Sequence, residues 1–114
     1  MKNQTIKTTI FIGLNDSETG VQKFDTAKYV SILKNVCHSY HLAFSVQKIE
    51  GGYFHENGVY VEETTLALLL MDTPEDVVIE IAKDLCAFFH QESVMVTSSP
   101  CSTVFVKDDL WEEK

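Results

Sequence analysis

The sequence predicts an α+β domain of the ferredoxin-like class, with element order β-α-β-β-α-β, an antiparallel sheet and both helices on one face. Two segments, residues 29–40 and 78–89, carry apolar side chains at helical spacing. A β-hairpin, residues 51–72, lies between them, and strand-type segments lie outside them. Two βαβ halves joined by a hairpin give this fold.

In the first half, we predict a strand over residues 5–13, because Ile6, Thr8, Ile10 and Ile12 fall on one face. Asp25 is the expected N-cap of a first helix of about four turns. A second strand begins at residues 44–46 and runs toward Tyr53.

The hairpin tip carries Asn57-Gly58, which is typical of a two-residue type I′ turn with positive φ at both positions. The third strand follows and alternates polar and apolar residues at first. From Leu66 to Met71 both of its faces are apolar. Such a strand is either central in its sheet or packed against another subunit, so we predict a homo-oligomer, a trimer or a dimer.

In the second half, Thr73 is the expected cap of a second helix, with Pro74 in the first helical position. A fourth strand is predicted over residues 93–97. Ser98-Ser99-Pro100 is expected to interrupt it before a short fifth strand over residues 102–106. Residues 1–107 would form the domain and residues 108–114 a polar tail.

Composition limits the partners that the chain can have. Its 114 residues suit one domain, and a formal charge of −8 argues against nucleic-acid binding through phosphates. No apolar run reaches 18 residues, which argues against a membrane span. Cys37, Cys86 and Cys101 are odd in number and lack metal-type spacing, so we expect reduced thiols in a cytoplasmic protein.

The hairpin carries the first candidate site. His55 beside Glu56, with Glu62 and Glu63 on the return strand, could perform acid–base chemistry or hold a divalent ion. A solvated hairpin tip explains the same residues. Because neighbouring strand residues point to opposite faces, we expect only one of Glu62 and Glu63 to serve a given site within a subunit.

Three aromatic residues flank the same turn: Tyr53, Phe54 and Tyr60. They could stack on a ligand or a partner, and cross-strand aromatic pairs also stabilise a hairpin by themselves. Binding by this aromatic and acidic half of the hairpin is the strongest functional signal in the sequence.

Two further groups favour ordinary structural roles. Asp16 lies in an oxygen-rich loop, residues 15–20, that lacks EF-hand spacing, and residues 91–93 are expected to lie near it. A plain connecting loop explains this segment, but Asp16 stays a candidate binding residue, because the loop could meet a ligand or partner together with the hairpin at a subunit boundary. His38 and His41 could bind zinc, but a position at the helix end suits their charge equally. We therefore predict no metal and no cofactor.

The sequence resembles the PII-like superfamily and its CutA-type members in three features. These are the helix ending at residues 37–40, the hairpin around Gly52-Tyr53 and Gly58, and the Glu62-Glu63-Thr64 run. The resemblance implies a ferredoxin-like core and trimers, with nucleotides or metals bound at subunit clefts in some members. No basic, glycine-rich phosphate loop of the PII type is present. The strings FIGLND and QESV are also similar to small uncharacterised proteins of Gram-positive bacteria and their phages.

The leading hypothesis is a non-enzymatic ligand- or partner-binding regulatory module that acts as a homo-oligomer. One alternative is a metal-assisted or acid–base enzyme that uses Glu62 or Glu63 with His55 across a subunit interface. Another is a phage-type antagonist whose acidic surface occupies the basic groove of a host protein.

Overall fold

A computed structural model describes residues 3–109 and confirms the predicted order of elements. The elements are β1 (Asn3–Gly13), α1 (Thr26–Ser39), β2 (Ser45–Phe54), β3 (Tyr60–Met71), α2 (Glu75–Phe88) and β4 (Met95–Thr103). Of the predicted polar tail, residues 110–114 lie outside the described residues.

The four strands form one antiparallel sheet in the order β2-β3-β1-β4. Ile10 of β1 lies opposite Leu68 of β3 on one side and Val96 of β4 on the other. The two central strands are thus β1 and β3. The central position predicted for the apolar end of the third strand is confirmed.

One hydrophobic core lies between the sheet and the two helices. Alternate residues of β1 and β3 enter it, and the buried stripes of both helices pack on them; the fully buried members are Ile10, Ile12, Leu14, Leu33, Cys37, Leu66, Leu68, Leu70, Ile81 and Leu85. Since one set of alternate strand residues meets both helices, both cover the same face of the sheet. No helix within residues 3–109 covers the opposite face.

The hairpin turn differs from the predicted two-residue type. The His55 N–H donates to the Val59 carbonyl oxygen at 2.9 Å, and the Gly58 N–H donates to the His55 carbonyl oxygen at 2.9 Å. Three residues, 56–58, therefore form the loop. Only Gly58 has a positive φ (85°); Asn57 does not, and its side chain accepts the Val59 N–H instead. This is the three-residue hairpin loop with glycine in the left-handed position.

The fourth strand also differs from the prediction, because β4 continues through Pro100 without interruption and no fifth strand follows within residues 3–109. Pro100 lies opposite Ile6 in the register. A proline is tolerated there because β4 is an edge strand, whose outward amide groups need no partner strand.

The helix starts are near the predicted positions, but their side-chain caps are absent. Asp25 occupies the N-cap position of α1 without a side-chain capping bond. Pro74, not Thr73, is the N-cap of α2: its ψ of 143° is extended, and its carbonyl oxygen accepts the Val78 N–H. Glu75 and Asp76 still lie in the first turn, where the helix dipole favours acids. No helix among residues 3–109 is long and apolar enough to cross a membrane.

Candidate functional site

The candidate site is a polar cleft, about 430 Å³ in volume, between the β1–α1 loop and the base of the β2–β3 hairpin. We call it the acidic cleft. Its lining comprises Asn15, Gln22, Glu50, Gly51, Tyr60, Glu62, Glu63 and Thr64. Three of the predicted site residues, Tyr60, Glu62 and Glu63, therefore come together here.

Glu63 is the best-positioned carboxylate of the acidic cleft. Its Oε2 accepts the backbone N–H of Asn15 at 3.0 Å, and the side chain is half-buried. A Cβ atom added to Gly13 would lie 2.5 Å from this same Oε2 and 2.6 Å from Cδ. The last residue of β1 thus leaves the space for this carboxylate, and the first part of the β1–α1 loop donates its hydrogen bond.

The open edge of β3 explains why both glutamates line one cleft. The pairing of β1 with β3 ends at Gly13 and Thr65, so Glu62 and Glu63 have no β1 residue beside them. The β1–α1 loop reaches this edge instead: the Asn15 Nδ2 donates to the Glu62 carbonyl oxygen at 3.1 Å. Glu62 thus contributes its carbonyl oxygen to this contact, whereas Glu63 contributes its carboxylate. The expectation that only one of the two side chains serves a given site within a subunit stays a prediction.

Tyr60 gives the acidic cleft an aromatic wall. Its ring lies where a side chain of Gly52 would otherwise stand, and its centroid is 5.1 Å from that of Phe54. Tyr53 instead packs its ring against His55, 5.4 Å away. Tyr53, Phe54 and His55 are all exposed on the hairpin and do not line the acidic cleft within one chain.

The charge of the lining is uniformly negative. It contains three glutamates and neither lysine nor arginine. The Nζ of Lys48 lies 3.6 Å from an Oε1 of Glu50, but both side chains are more than half exposed, and such surface pairs contribute little. The acidic cleft therefore favours a cationic or hydrogen-bond-donating ligand.

Asp16 does not enter the acidic cleft. It is buried beside it, with 4 % of its surface exposed, and its Oδ2 lies 2.7 Å from His90 Nδ1 and 3.2 Å from Lys23 Nζ. The His90 hydrogen bond is the main reason that the pKa of Asp16 is far below its ordinary value, and backbone N–H groups of Glu18 and Thr19 lower it further. The predicted closeness of residues 91–93 to this loop is confirmed, since Gln91 Nε2 donates to the Asn15 carbonyl oxygen at 2.6 Å.

Metal binding has no support in the arrangement of side chains. Residues 3–109 contain no group of three or more histidine, cysteine, aspartate or glutamate side chains that could hold an ion. His38 lies in the last turn of α1, as predicted, with its ring 6.3 Å from that of Phe44. His41 follows the helix with a φ of 57°.

Several residues in or beside the acidic cleft are not candidates from the sequence: Gly13, Gln22, Glu50, Gly51, Thr64 and His90. The one available signal was Gly13, the last residue of a strand, since a glycine permits close approach of a neighbouring group. Residues 15 and 63 are far apart in the chain, and only the register of β1 with β3 brings them together.

The fold is similar to that of several solved structures. A phage SAM lyase in complex with S-methyl-5′-thioadenosine matches with a TM-score of 0.64 and 18 % identity, over 95 % of this chain and 93 % of that one. The apo form of a phage SAM lyase matches with a TM-score of 0.65 and 21 % identity, over 95 % and 92 % of the two chains. CutA from Pyrococcus horikoshii matches with a TM-score of 0.55 and 13 % identity, over 88 % and 87 %.

Identities of this size show a shared fold and nothing finer. The predicted resemblance to the CutA-type, ferredoxin-like architecture is confirmed at that level. No protein-family model matches the sequence, and no curated protein matches it.

Proposed function

We propose that this protein binds S-adenosylmethionine (SAM) in the acidic cleft and cleaves it as a lyase. The observation that carries the proposal is the Glu63 carboxylate, held by the Asn15 N–H in the wall of a cleft that contains two more glutamates. The nearly full-length structural similarity to a phage SAM lyase makes this substrate the first to test.

The charge of the substrate suits the acidic cleft. SAM carries a positive sulfonium and a protonated amine, and carboxylates attract both. The chain's formal charge of −8 adds a long-range electrostatic attraction for the same positively charged substrate. A phosphorylated nucleotide would meet repulsion instead, which agrees with the absence of a basic phosphate loop from the sequence.

The size and wall of the acidic cleft suit a nucleoside. Its volume of about 430 Å³ lies within the range of small-molecule sites. The Tyr60 ring offers a face for stacking of a base or for contact with a sulfonium, and its packing against Phe54 limits its freedom. Tyr53 and His55 lie farther along the hairpin, and in an oligomer they would contribute to the site of a neighbouring subunit.

The proposed reaction breaks the bond between the sulfonium sulfur and the four-carbon amino acid chain. The electron pair stays on sulfur, which becomes the neutral thioether S-methyl-5′-thioadenosine. The four-carbon fragment completes its valence either by losing a β proton to a carboxylate, for which Glu63 is the candidate base, or by ring closure onto its own carboxylate. No cofactor is needed for either route.

A second candidate is the non-enzymatic version of the same site, a module that binds the cation without cleaving it. The lining favours this candidate in one respect: it contains no histidine, cysteine or lysine, which are frequent carriers of acid–base or covalent chemistry. The two candidates share a ligand and differ in whether a product forms.

We also propose that the protein works as a homo-oligomer. Phe11 and Leu69, both partly exposed, lie on the sheet face that no helix of residues 3–109 covers, and they line a groove of about 360 Å³. After β4, the Val104-Phe105-Val106 segment is also apolar and exposed, with Phe105 and Val106 each 88 % accessible. Burying these surfaces between copies would remove them from water. Light scattering should give a molar mass two or three times the 12.9 kDa of one chain, and the mass of a monomer would contradict the proposal.

Incubation of purified protein with SAM tests the function directly. We expect S-methyl-5′-thioadenosine by mass spectrometry, and proton NMR separates a vinyl product from a lactone. For the route to a vinyl product, in which Glu63 is the base, Glu63→Gln should lower the rate at least 100-fold, in the range of acid–base contributions. Glu56→Gln, on the hairpin outside the acidic cleft, is the matched control and should keep the rate.

Calorimetry on the same samples separates the two candidates. Binding of SAM without product, weakened by Glu63→Gln but not by Glu56→Gln, would support the non-enzymatic module. Absence of both binding and product in the wild-type protein would reject the proposed function.

A further inference from the structure

The buried Asp16 carboxylate and the half-exposed His90 ring link the β1–α1 loop to the segment that follows α2. Asp16 Oδ2 and His90 Nδ1 are 2.7 Å apart, and Asp16 Oδ1 accepts the backbone N–H of Glu18 at 2.9 Å. The other ring nitrogen, Nε2 of His90, lies 3.4 Å from Glu18 Oε1. One carboxylate thus organises its own loop and ties it to a second segment of the chain.

His90 is anchored to the hydrophobic core. It follows Phe89, which is 2 % exposed and packs edge-on against Tyr29 with ring centroids 5.0 Å apart. The chain leaves the helix at His90 with a φ of 55°, and the Gln91 N–H returns to the Cys86 carbonyl oxygen at 2.9 Å. The imidazole therefore has a backbone position set by the core, while its side chain is half exposed.

The loop that Asp16 organises is the one that holds Glu63. Asn15 is the adjacent residue: its N–H donates to Glu63, and its carbonyl oxygen accepts Gln91 Nε2 at 2.6 Å. The Ser17 N–H also donates to the His90 carbonyl oxygen at 3.0 Å. The contacts to residues 90 and 91 thus lie on both sides of Asp16.

We propose that Asp16 and His90 are positioning residues for the acidic cleft, holding the Asn15 amide against the Glu63 carboxylate. Neither touches the ligand in this arrangement. They fix one wall of the acidic cleft relative to the core, so that Glu63 meets its ligand with its hydrogen bond already formed. The consequence for ligand binding rests on the proposed function, whereas the effect on Asn15 does not.

Two substitutions at His90 separate the hydrogen bond from the backbone conformation. His90→Gly removes the ring but suits a positive φ, so the turn itself is kept. His90→Asn also tolerates this φ, and its amide nitrogen can stand where Nδ1 stands and donate to Asp16. Lys23→Met removes the ion pair between Asp16 and the half-exposed Lys23 side chain and is the control for charge.

Two measurements read the result: hydrogen exchange of the Asn15 amide in the ligand-free protein, and the Kd for S-methyl-5′-thioadenosine. In His90→Gly we expect at least tenfold faster exchange and about tenfold weaker binding, since a charge-assisted hydrogen bond is worth a factor of this size. His90→Asn and Lys23→Met should stay within about twofold of the wild type. Circular dichroism confirms that each variant is folded.

Unchanged exchange in His90→Gly would overturn the proposal, as would a His90→Asn protein that behaves like His90→Gly. If His90→Gly exchanges faster and the wild-type protein binds no nucleoside, the positioning role stands and the proposed function fails. If binding is present but insensitive to His90→Gly, the positioning role is overturned and the proposed function stands.

Discussion

Replacing Gly13 with alanine should damage the site while leaving the fold intact. The added methyl group would lie 2.5 Å from Glu63 Oε2, 2.6 Å from Cδ and 2.8 Å from Oε1. Contacts this short are not tolerated, and the carboxylate must retreat by about 1 Å to reach ordinary van der Waals separation. Since the carboxylate is the far end of a flexible side chain, it can move without displacing the backbone.

The structure allows the cost to be divided between stability and binding. A 1 Å retreat breaks the 3.0 Å hydrogen bond from the Asn15 N–H, and a bond to a charged group contributes about 1.5–3 kcal/mol. Water can replace this bond at a half-buried carboxylate, and alanine restricts the unfolded chain by roughly 0.4–1 kcal/mol. We therefore expect the free energy of unfolding to change by less than about 1 kcal/mol, and the Kd for S-methyl-5′-thioadenosine to rise at least tenfold.

The matched control is Gly51→Ala. Gly51 lies opposite Glu63 on β2 and also lines the acidic cleft, but a Cβ there would meet no atom within 4 Å. Calorimetry gives the Kd and urea unfolding gives the stability, while the Asn15 amide shift reports the hydrogen bond. Equal Kd values and equal Asn15 shifts in the two variants would refute the role assigned to Gly13 and Glu63.

Three further predictions concern stability and reactivity. Leu68→Ala, at a fully buried position of β3, should destabilise the protein by about 3 kcal/mol in urea unfolding, and a loss below about 1 kcal/mol would contradict the described core. The pKa of Asp16 is held below its ordinary 3.8, so its carboxylate stabilises the folded protein above about pH 4 and loses this effect at lower pH. The difference in Tm between the wild type and Asp16→Asn should therefore narrow on acidification. A difference that stays constant with pH would contradict the stabilising role of the carboxylate. Burial raises the pKa of Cys37 to about 11. In a variant that keeps only this cysteine, the folded protein should react with Ellman's reagent at pH 8 far more slowly than the unfolded protein does. Equal rates would show that the thiol is accessible in the fold.

Much of the fold was predictable because its signals are local. Helical spacing identifies both helices, and alternate apolar residues identify β1. The errors also have local causes. Asn57-Gly58 is compatible with two loop lengths, and only the hydrogen bonds of His55 with Val59 and Gly58 distinguish them. Pro100 ends a central strand but not an edge strand, and edge position depends on the order of the sheet.

The site was predictable only in part. Tyr60, Glu62 and Glu63 were recognised as a polar and aromatic stretch next to a turn. Their partner Asn15 comes from a distant loop, and no spacing rule connects it to them. Asp16 is a candidate binding residue by its oxygen-rich loop, but its contact with His90 spans 74 residues of sequence and cannot be predicted from spacing.

The sequence by itself determined the order of the elements and the acidic, aromatic character of the hairpin, because periodicity and composition are properties of neighbouring residues. The tertiary structure alone decided where the Glu63 carboxylate lies and what holds it. β1 stops at Gly13, which leaves the edge of β3 open to the β1–α1 loop, and the end of α2 fixes that loop through Asp16. These contacts join segments that only the folded sheet brings within hydrogen-bonding distance.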